Sequence, residues 1–263
     1  MTDISAAMVK ELRDATSAGM MDCKRALQET NGDFDAAIKL LREKGMASAA
    51  KRADRETTEG QVALSVNASV GAIVAVGCET EPVSKNDAFK AFVEKVLETV
   101  KSGGDVGLLD TERAELSGKL GENIQIVGVK RMESAAGEQL AEYIHFTQKV
   151  GALVKTRGGD RESARSLALH LTFARPTFST RDEIPHELVD AEREILRNSD
   201  EVISKPEEVR EKIVEGMLNK RFYAEAVLSE QQWYRPDEAT GTVTKVLEER
   251  GVEIVDYAWF SVG

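Results

Sequence analysis

The residues best suited to a specific contact lie in one short polar segment, residues 78–89. It follows an apolar stretch, 72–76, with the pattern of a strand, and it leads into a helix for which Asp87 is the predicted cap. Its distinctive residues are a carboxylate, a proline that stiffens the backbone and an ammonium group: Glu81, Pro82 and Lys85. The segment holds no nucleophile–base pair and no cluster of metal ligands. On residue types alone, a plain strand–helix connection and a rigid binding tip both remain open.

The rest of the sequence carries no catalytic or metal-binding pattern. The three histidines share no metal-ligand spacing; His170 and His186 are predicted to be surface or boundary residues, and His145, at a predicted strand end, is kept as a candidate. Motifs for phosphate cradles, serine nucleophiles and zinc-binding helices are absent. Cys23 and Cys78 lie among apolar neighbours, which predicts buried thiols. The sequence therefore predicts no catalytic residues, no metal site and no cofactor.

The composition of the chain argues against some classes of binding partner. Of the 263 residues 41% are hydrophobic and 31% are charged, and the net charge is −11. Because no segment carries a dense block of Lys and Arg, direct binding of nucleic acid is not expected. No apolar run is long enough to predict a membrane span. Met1-Thr2-Asp3 shows neither a basic leader nor the apolar core of a signal peptide, so a cytoplasmic location is expected.

Residues 1–50 have the pattern of a three-helix bundle. Ser5 and Asp33 are predicted caps, and Gly45 is the predicted residue that ends the third helix. Met20 and Met21 stand beside a glycine; their residue type favours burial of both, and the alternative is that one is an exposed, adaptable contact. Small and charged residues from 46 to 60 predict a helical linker without a core-facing stripe, and the linker domain is assigned to 51–60.

One pattern occurs twice in the remainder of the chain. Each copy is a predicted hairpin whose second strand begins Val-Gly-Ala-aliphatic-Val, at Val70 and at Val150, followed by a polar loop and an amphipathic helix. Unless two short hairpins match by chance, this predicts an α+β fold with two related sheet-plus-helix subdomains that share a core, at 61–135 and 136–263. The last strand, 252–262, alternates imperfectly and is predicted to be buried on both faces.

Residues 184–222 interrupt the second subdomain. Leu188, Ile195 and Val202 recur every seven residues among charged neighbours. Pro206 breaks this helix, and a return helix with apolar residues from Val209 onward follows. The pattern predicts an inserted antiparallel helical hairpin with a coiled-coil seam.

Several segments, in chain order, resemble signatures of the bacterial elongation factor Ts family. The most specific is Thr16-Ser17-Ala18-Gly19-Met20-Met21-Asp22-Cys23-Lys24-Arg25-Ala26-Leu27. A second is Cys78-Glu79-Thr80-Glu81-Pro82-Val83-Ser84-Lys85-Asn86, and further matches include Lys119-Leu120-Gly121-Glu122-Asn123-Ile124. The resemblance covers essentially the whole chain.

This resemblance implies a guanine-nucleotide exchange factor and not an enzyme that acts on a substrate bond. Members of the family bind elongation factor Tu, a GTPase, and speed its loss of GDP. The resemblance implies that the bundle is similar to a ubiquitin-associated (UBA) domain and docks on the G domain of Tu. It implies that the 78–86 segment disturbs the magnesium and phosphate site, that the sheets reach a second domain, and it leaves a 2:2 assembly open. The contact residues implied by the match are Arg13, Met20, Met21, Lys24, Thr80, Glu81, Pro82, Val83, Ile126 and His145.

The chain departs from the family at two adjacent positions. The family normally has Asp then Phe where this chain has Glu81 then Pro82. The acid is retained with one more methylene, but the aromatic wedge is lost, and proline presents far less apolar area than a phenyl ring. The hypothesis is that exchange persists but is weaker, or depends more on the bundle and the sheets. The alternative is a Tu-binding protein that stabilises or sequesters the GTPase with little exchange; an unrelated α+β enzyme is disfavoured because catalytic motifs are absent.

Overall fold

A computed structural model describes residues 4–16 and 18–263. Met1 to Asp3, which carry the expectation about a leader, and Ser17 of the amino-terminal signature lie outside the described residues. The strands are β1 (Glu59–Val66), β2 (Val70–Cys78), β3 (Gln125–Glu133), β4 (Glu138–Ile144), β5 (Val150–Arg157) and β6 (Glu253–Ser261). The helices are α1 (Ala6–Thr16), α2 (Met20–Glu29), α3 (Phe34–Ala50), α4 (Glu81–Ser84), α5 (Asp87–Lys101), α6 (Asp110–Leu120), α7 (Arg161–Ala174), α8 (His186–Arg197), α9 (Asp200–Ile203), α10 (Glu207–Met217), α11 (Ala224–Ala226) and α12 (Val243–Glu249). The mixture of helices and antiparallel sheets is the α+β class that the sequence predicts.

Two three-stranded antiparallel sheets, ordered β1-β2-β3 and β4-β5-β6, form the centre of the fold. Their inner faces share one apolar cluster, to which Ile73 and Leu153 contribute from the two central strands. Helix α5 covers the outer face of the first sheet and α7 that of the second. The central strands β2 and β5 are therefore buried on both faces, which is why they contain near-continuous apolar runs. The prediction that the last strand has two buried faces is wrong, because β6 is an edge strand and most of it is half-buried.

The two sheets repeat each other in detail. The register shifts between Ala75 and Val76 in β2, and at the corresponding place between Lys155 and Thr156 in β5. Each shift leaves one extra residue on the neighbouring edge strand, at position 127 in β3 and 255 in β6, so each edge strand carries a β-bulge. A shared irregularity of this kind supports the predicted repeat more strongly than the five-residue sequence match does.

The bundle α1–α3 has its own apolar cluster and docks on α6 through α3. The prediction that Gly45 ends the third helix is wrong, because α3 continues to Ala50. Gly45 lies instead against Gly118 of α6, where a Cβ built on Gly118 would stand 2.8 Å from the Cα of Gly45. Glycine is needed here for a close helix crossing and not for a helix end. The predicted helical linker is correspondingly wrong beyond Ala50, because turns and extended backbone lead from there to β1.

The inserted segment forms two antiparallel helices, α8 and α10, joined through α9. Ion pairs of Arg193 with Glu215 (3.0 Å) and Arg197 with Glu211 (3.0 Å) join the two helices, and their order along the chain shows the antiparallel arrangement. The predicted heptad seam is wrong at its first two positions, since Leu188 and Ile195 are exposed. The buried apolar residues of the insertion are Ile184, Leu196, Val202, Val214, Met217 and Leu218.

Candidate protein-binding site

The segment between β2 and α5 is not an irregular loop but contains one helical turn, α4. Pro82 lies in that turn, where a missing N–H leaves no hydrogen bond unmade. The N–H groups of Ser84 and Lys85 donate to the carbonyls of Thr80 (3.1 Å) and Glu81 (3.2 Å). The cap of α5 is Asn86, whose side chain accepts from the N–H of Ala88 at 2.9 Å, and not Asp87 as predicted. We refer to Thr80–Val83 as the tip.

The tip presents three of its residues and anchors the fourth. Thr80, Glu81 and Pro82 are exposed. Val83 is half-buried and packs against the apolar cluster between the first sheet and α5. The tip is thus a surface projection with an apolar anchor directly beneath it.

The charges of the tip are paired on the surface. The carboxylate of Glu81 lies 2.7 Å from the ammonium of Lys85, and this hydrogen bond lowers the pKa of Glu81 and raises the pKa of Lys85. An exposed pair of this kind contributes little to stability, so Glu81 can change partners on binding. Cys78, at the base of the tip, is buried as predicted, and burial raises its pKa to about 12.

His145 lies at the second predicted contact. It follows β4, is half-buried, and its Nδ1 is 2.8 Å from the hydroxyl of Thr147. It borders an open pocket of about 650 Å³ that Lys149, Phe173 and Arg175 also line.

An exposed row of aromatic rings continues from His145 and was missed by the sequence reasoning. The ring centroid of Phe146, which is 88% exposed, lies 4.3 Å from that of His145. Phe173 lies 6.1 Å from His145, edge-on, and stacks on Tyr234 at 4.2 Å. The available signal was that Phe173 falls outside the inward stripe of α7, which marks it as an aromatic residue without a core role.

His170 supports this row from below, although it was predicted to be a surface or boundary residue. It is 1% exposed, and burial lowers its pKa. Its Nδ1 accepts from the N–H of Tyr234 at 3.2 Å, so its Nε2–H donates to the side-chain oxygen of Gln231 at 2.9 Å. These partners lie more than 60 residues away in sequence, so the local pattern around His170 could not reveal them.

The tip and the His145 pocket belong to one side of the molecule. Lys149 of the pocket pairs with Glu59 at 2.6 Å, at the start of β1, and α4 contacts this strand. The charge of Lys149 also contributes to the lowered pKa of Glu81. Ile126, a third predicted contact, pairs with Val76 and packs half-buried against the same cluster as Val83. The structure therefore brings the tip, Ile126 and His145 to one end of the paired sheets.

The bundle presents a separate exposed group. Arg13 lies in the last turn of α1, and Met20, Met21 and Lys24 lie in the first turns of α2; all four are exposed. The residue-type prediction that both methionines are buried is wrong, because they are 45% and 62% exposed. Exposed methionines are adaptable apolar contacts.

The chemistry of these surfaces is that of protein binding. Within residues 4–16 and 18–263, no three His, Cys, Asp or Glu side chains are grouped as metal ligands. Over the same residues, no helix combines the length and apolarity needed to cross a bilayer. Exposed methionines, an exposed aromatic row and a preformed tip are surfaces that gain by burial against another protein.

Comparison with known proteins identifies close similarities. Residues 79–263 match the family model described as "Elongation factor TS". The chain is 42% identical to elongation factor Ts of Thioalkalivibrio sulfidiphilus, over 99% of this chain and 92% of that protein. It is 40% identical to elongation factor Ts of Deinococcus radiodurans, over 97% and 98% of the two chains. It is 38% identical to that of Serratia proteamaculans, over 100% and 93%.

Proposed function

The chain belongs to the elongation factor Ts family, whose members are nucleotide exchange factors for elongation factor Tu, and we propose that it binds Tu·GDP and releases GDP by disturbing the magnesium and phosphate site. The observation that carries this mechanism is the tip, where Thr80, Glu81 and Pro82 project from a hydrogen-bonded helical turn. A cytoplasmic location is part of the proposal, since it is where elongation takes place.

Three surfaces would share the binding. The bundle contacts the G domain of Tu through Arg13, Met20, Met21 and Lys24. Ile126 and His145 face a second domain, and the exposed aromatic row beside His145 supplies additional apolar area. Contacts distant from the nucleotide supply affinity, and the tip uses that affinity to distort the nucleotide site.

The tip acts on the metal rather than on the base of the nucleotide. Mg²⁺ requires near-octahedral oxygen coordination, so a small displacement of its ligands weakens its hold on the β-phosphate. Glu81 and the rigid turn behind it would occupy space beside that site. GDP and the exchange factor then bind Tu with negative coupling, and each lowers the affinity of the other by the same factor.

The composition of the tip is also compatible with a second function. Pro82 presents little apolar surface where the family has an aromatic wedge, and this favours a protein that binds and stabilises Tu with weak exchange. Both functions require the same surfaces, and they differ only in whether bound Tu loses its nucleotide quickly.

Release of fluorescent GDP from the cognate Tu, followed by stopped flow, separates the two functions. If the protein is an exchange factor, an amount far below one molar equivalent accelerates GDP release from all of the Tu present. An effect that rises only to a 1:1 ratio indicates sequestration, and no effect at any ratio refutes the proposal. Light scattering of the complex distinguishes a 1:1 from a 2:2 assembly.

A paired substitution tests the tip itself. Glu81→Ala should slow release while Tu still binds through the bundle. The matched control is Glu98→Ala, which removes a similar surface ion pair, with Lys101 at 2.9 Å, near the far end of α5. Equal rates for the two variants would exclude the Glu81 carboxylate from the mechanism.

A further inference from the structure

We propose that Glu122 is the positioning residue of the tip, which fixes the direction in which Thr80, Glu81 and Pro82 project. The inference rests on the proposed exchange function and adds a residue that lies outside the predicted contact set. Glu122 follows the carboxyl end of α6, more than 40 residues from the tip in sequence.

One carboxylate holds both residues that precede α4. Oε2 of Glu122 accepts from the N–H groups of Glu79 and Thr80, each at 3.0 Å. Oε1 accepts from the hydroxyl of Thr80 at 2.5 Å. Three hydrogen bonds to one charged group are stronger and more directional than bonds between neutral groups. They fix the backbone of Thr80 and the rotamer of its side chain together.

The contact is reciprocal, since Glu79 bonds back to the segment between α6 and β3 that contains Glu122. Oε1 of Glu79 accepts from the N–H of Asn123 at 2.6 Å. Asn123 is 2% exposed, and its side-chain amide donates to the carbonyls of Ala53 (3.1 Å) and Arg55 (2.7 Å). The adjacent residues Glu122 and Asn123 therefore connect both the tip and the linker that follows the bundle to one point of the body.

Glu122 is itself held in place. Gly121, at φ 78°, ends α6 in the left-handed conformation, which turns the chain sharply toward the tip. The carbonyl of Glu122 accepts from the hydroxyl of Ser117 at 2.5 Å. The carboxylate is consequently aimed at Thr80 by the helix end.

The carbonyl of Thr80 accepts the first hydrogen bond of α4, from Ser84 at 3.1 Å. A four-residue helix has no stability of its own in water. Fixing Thr80 therefore fixes where α4 starts and which way it points. Both oxygens of Glu122 accept hydrogen bonds from the tip, so we assign its effect on the partner to Thr80.

The test compares Glu122→Ala with Glu122→Gln and Glu112→Ala in the GDP-release assay. Glu122→Ala should lower the maximal release rate about tenfold, because it removes all three hydrogen bonds that orient the tip. Glu122→Gln should stay within about twofold, because an amide oxygen accepts from both N–H groups and its NH₂ donates to the Thr80 hydroxyl. Glu112→Ala removes an ion pair between the first turn of α6 and Lys95 of α5, at the opposite end of α6 from Glu122, and should leave the rate unchanged.

A double-mutant cycle with Thr80→Val shows whether Glu122 acts through Thr80. If it does, Glu122→Ala combined with Thr80→Val is no slower than the slower single variant. Additive losses would indicate a direct contact with Tu and overturn the positioning role. A wild-type protein without exchange activity refutes the proposed function, whereas an active wild type with a Glu122→Ala variant equal to Glu112→Ala refutes only this inference.

Discussion

Gly118→Ala is a one-methyl perturbation of the contact that holds the bundle to the body. Gly118 lies in the interior of α6, opposite Gly45 of α3. The new Cβ would stand 2.8 Å from the Cα of Gly45 and 2.9 Å from its carbonyl carbon and oxygen. These are backbone atoms, so they cannot rotate away as a flexible side chain would. The two helices must separate, and the nearby ion pair of Arg42 with Glu115 is stretched with them.

Two opposing terms set the size of the effect. Replacing glycine by alanine inside a helix stabilises the helix by about 1 kcal/mol. Overpacking a close contact costs roughly 1–3 kcal/mol, since carbon atoms prefer about 3.5–4.0 Å. Only the overpacking term acts on docking, so we expect docking of the bundle to weaken by roughly 1–3 kcal/mol, while the helix term stabilises α6 of the two-sheet body by about 1 kcal/mol. The docked bundle then opens more often, exposing the linker from 51 to 58.

Amide hydrogen exchange of α3 and of that linker measures this opening. Gly216→Ala is the matched control, because Gly216 also lies inside a helix, α10, but has no heavy atom within 4 Å of an added Cβ. The control should stabilise the protein by about 1 kcal/mol and leave the protection of the bundle unchanged. In the GDP-release assay, Gly118→Ala should raise the half-saturating concentration several-fold, since the bundle and the tip no longer bind as one rigid surface. Wild-type protection of α3 in Gly118→Ala would refute the close-crossing argument.

Two further results are expected. Because burial lowers the pKa of His170, the unfolded chain takes up more protons than the folded one below about pH 6.5. The free energy of unfolding should therefore fall, as the pH is lowered below that value, by up to about 1 kcal/mol per pH unit. Urea unfolding of His170→Gln should show a smaller dependence of this free energy on pH, and an equal dependence would contradict the prediction. The exposed His186 provides the control substitution, His186→Gln, which should retain the wild-type slope. Pro82→Phe should speed GDP release about fivefold, the factor that roughly 1 kcal/mol of apolar burial gives, and an unchanged stopped-flow rate would exclude the wedge argument.

Local patterns predicted the repeated part of the fold because its signals are local. The Val-Gly-Ala segments at Val70 and Val150 gave two hairpins, and the structure adds equivalent bulges and a shared inner cluster. The face-to-face packing of the sheets is less accessible, since an apolar run such as β2 is equally compatible with a cover of helices on both faces. Only the distribution of contacts between distant strands distinguishes the two arrangements.

The errors arise where distant contacts override local preference. In α8, Leu188 and Val189 are adjacent, as are Ile195 and Leu196, so two neighbouring stripes are apolar and the heptad pattern selected the exposed one. Gly45 has the residue type of a helix end, but its contact with Gly118, 73 positions later, keeps it within α3. Residue type alone cannot distinguish these cases.

The sequence selected the segment that forms the tip but did not indicate how the fold supports it. The resemblance selected Thr80–Val83, and the residue types of Pro82 and Lys85 suggested a stiff, polar segment. The carboxylates that support the segment, at Glu79 and Glu122, have no motif of their own, because their partners are backbone N–H groups contributed from across the fold. The supporting contacts of a binding site are in general less visible in sequence than the residues that it exposes.

Under the proposed function, the construction of the tip affects the rate of exchange. A flexible loop that becomes ordered on binding loses part of its interaction free energy to conformational entropy, about 1–2 kcal/mol for each residue of backbone. Here the order is already present, since Val83 packs on the cluster, Glu122 fixes Thr80 and Asn86 caps the next helix. Under the proposed function, the free energy of docking the bundle and the sheets would therefore act on the magnesium site of Tu instead of being used to order the tip. By this reasoning, loosening the support of the tip should slow GDP release more than it weakens binding of Tu.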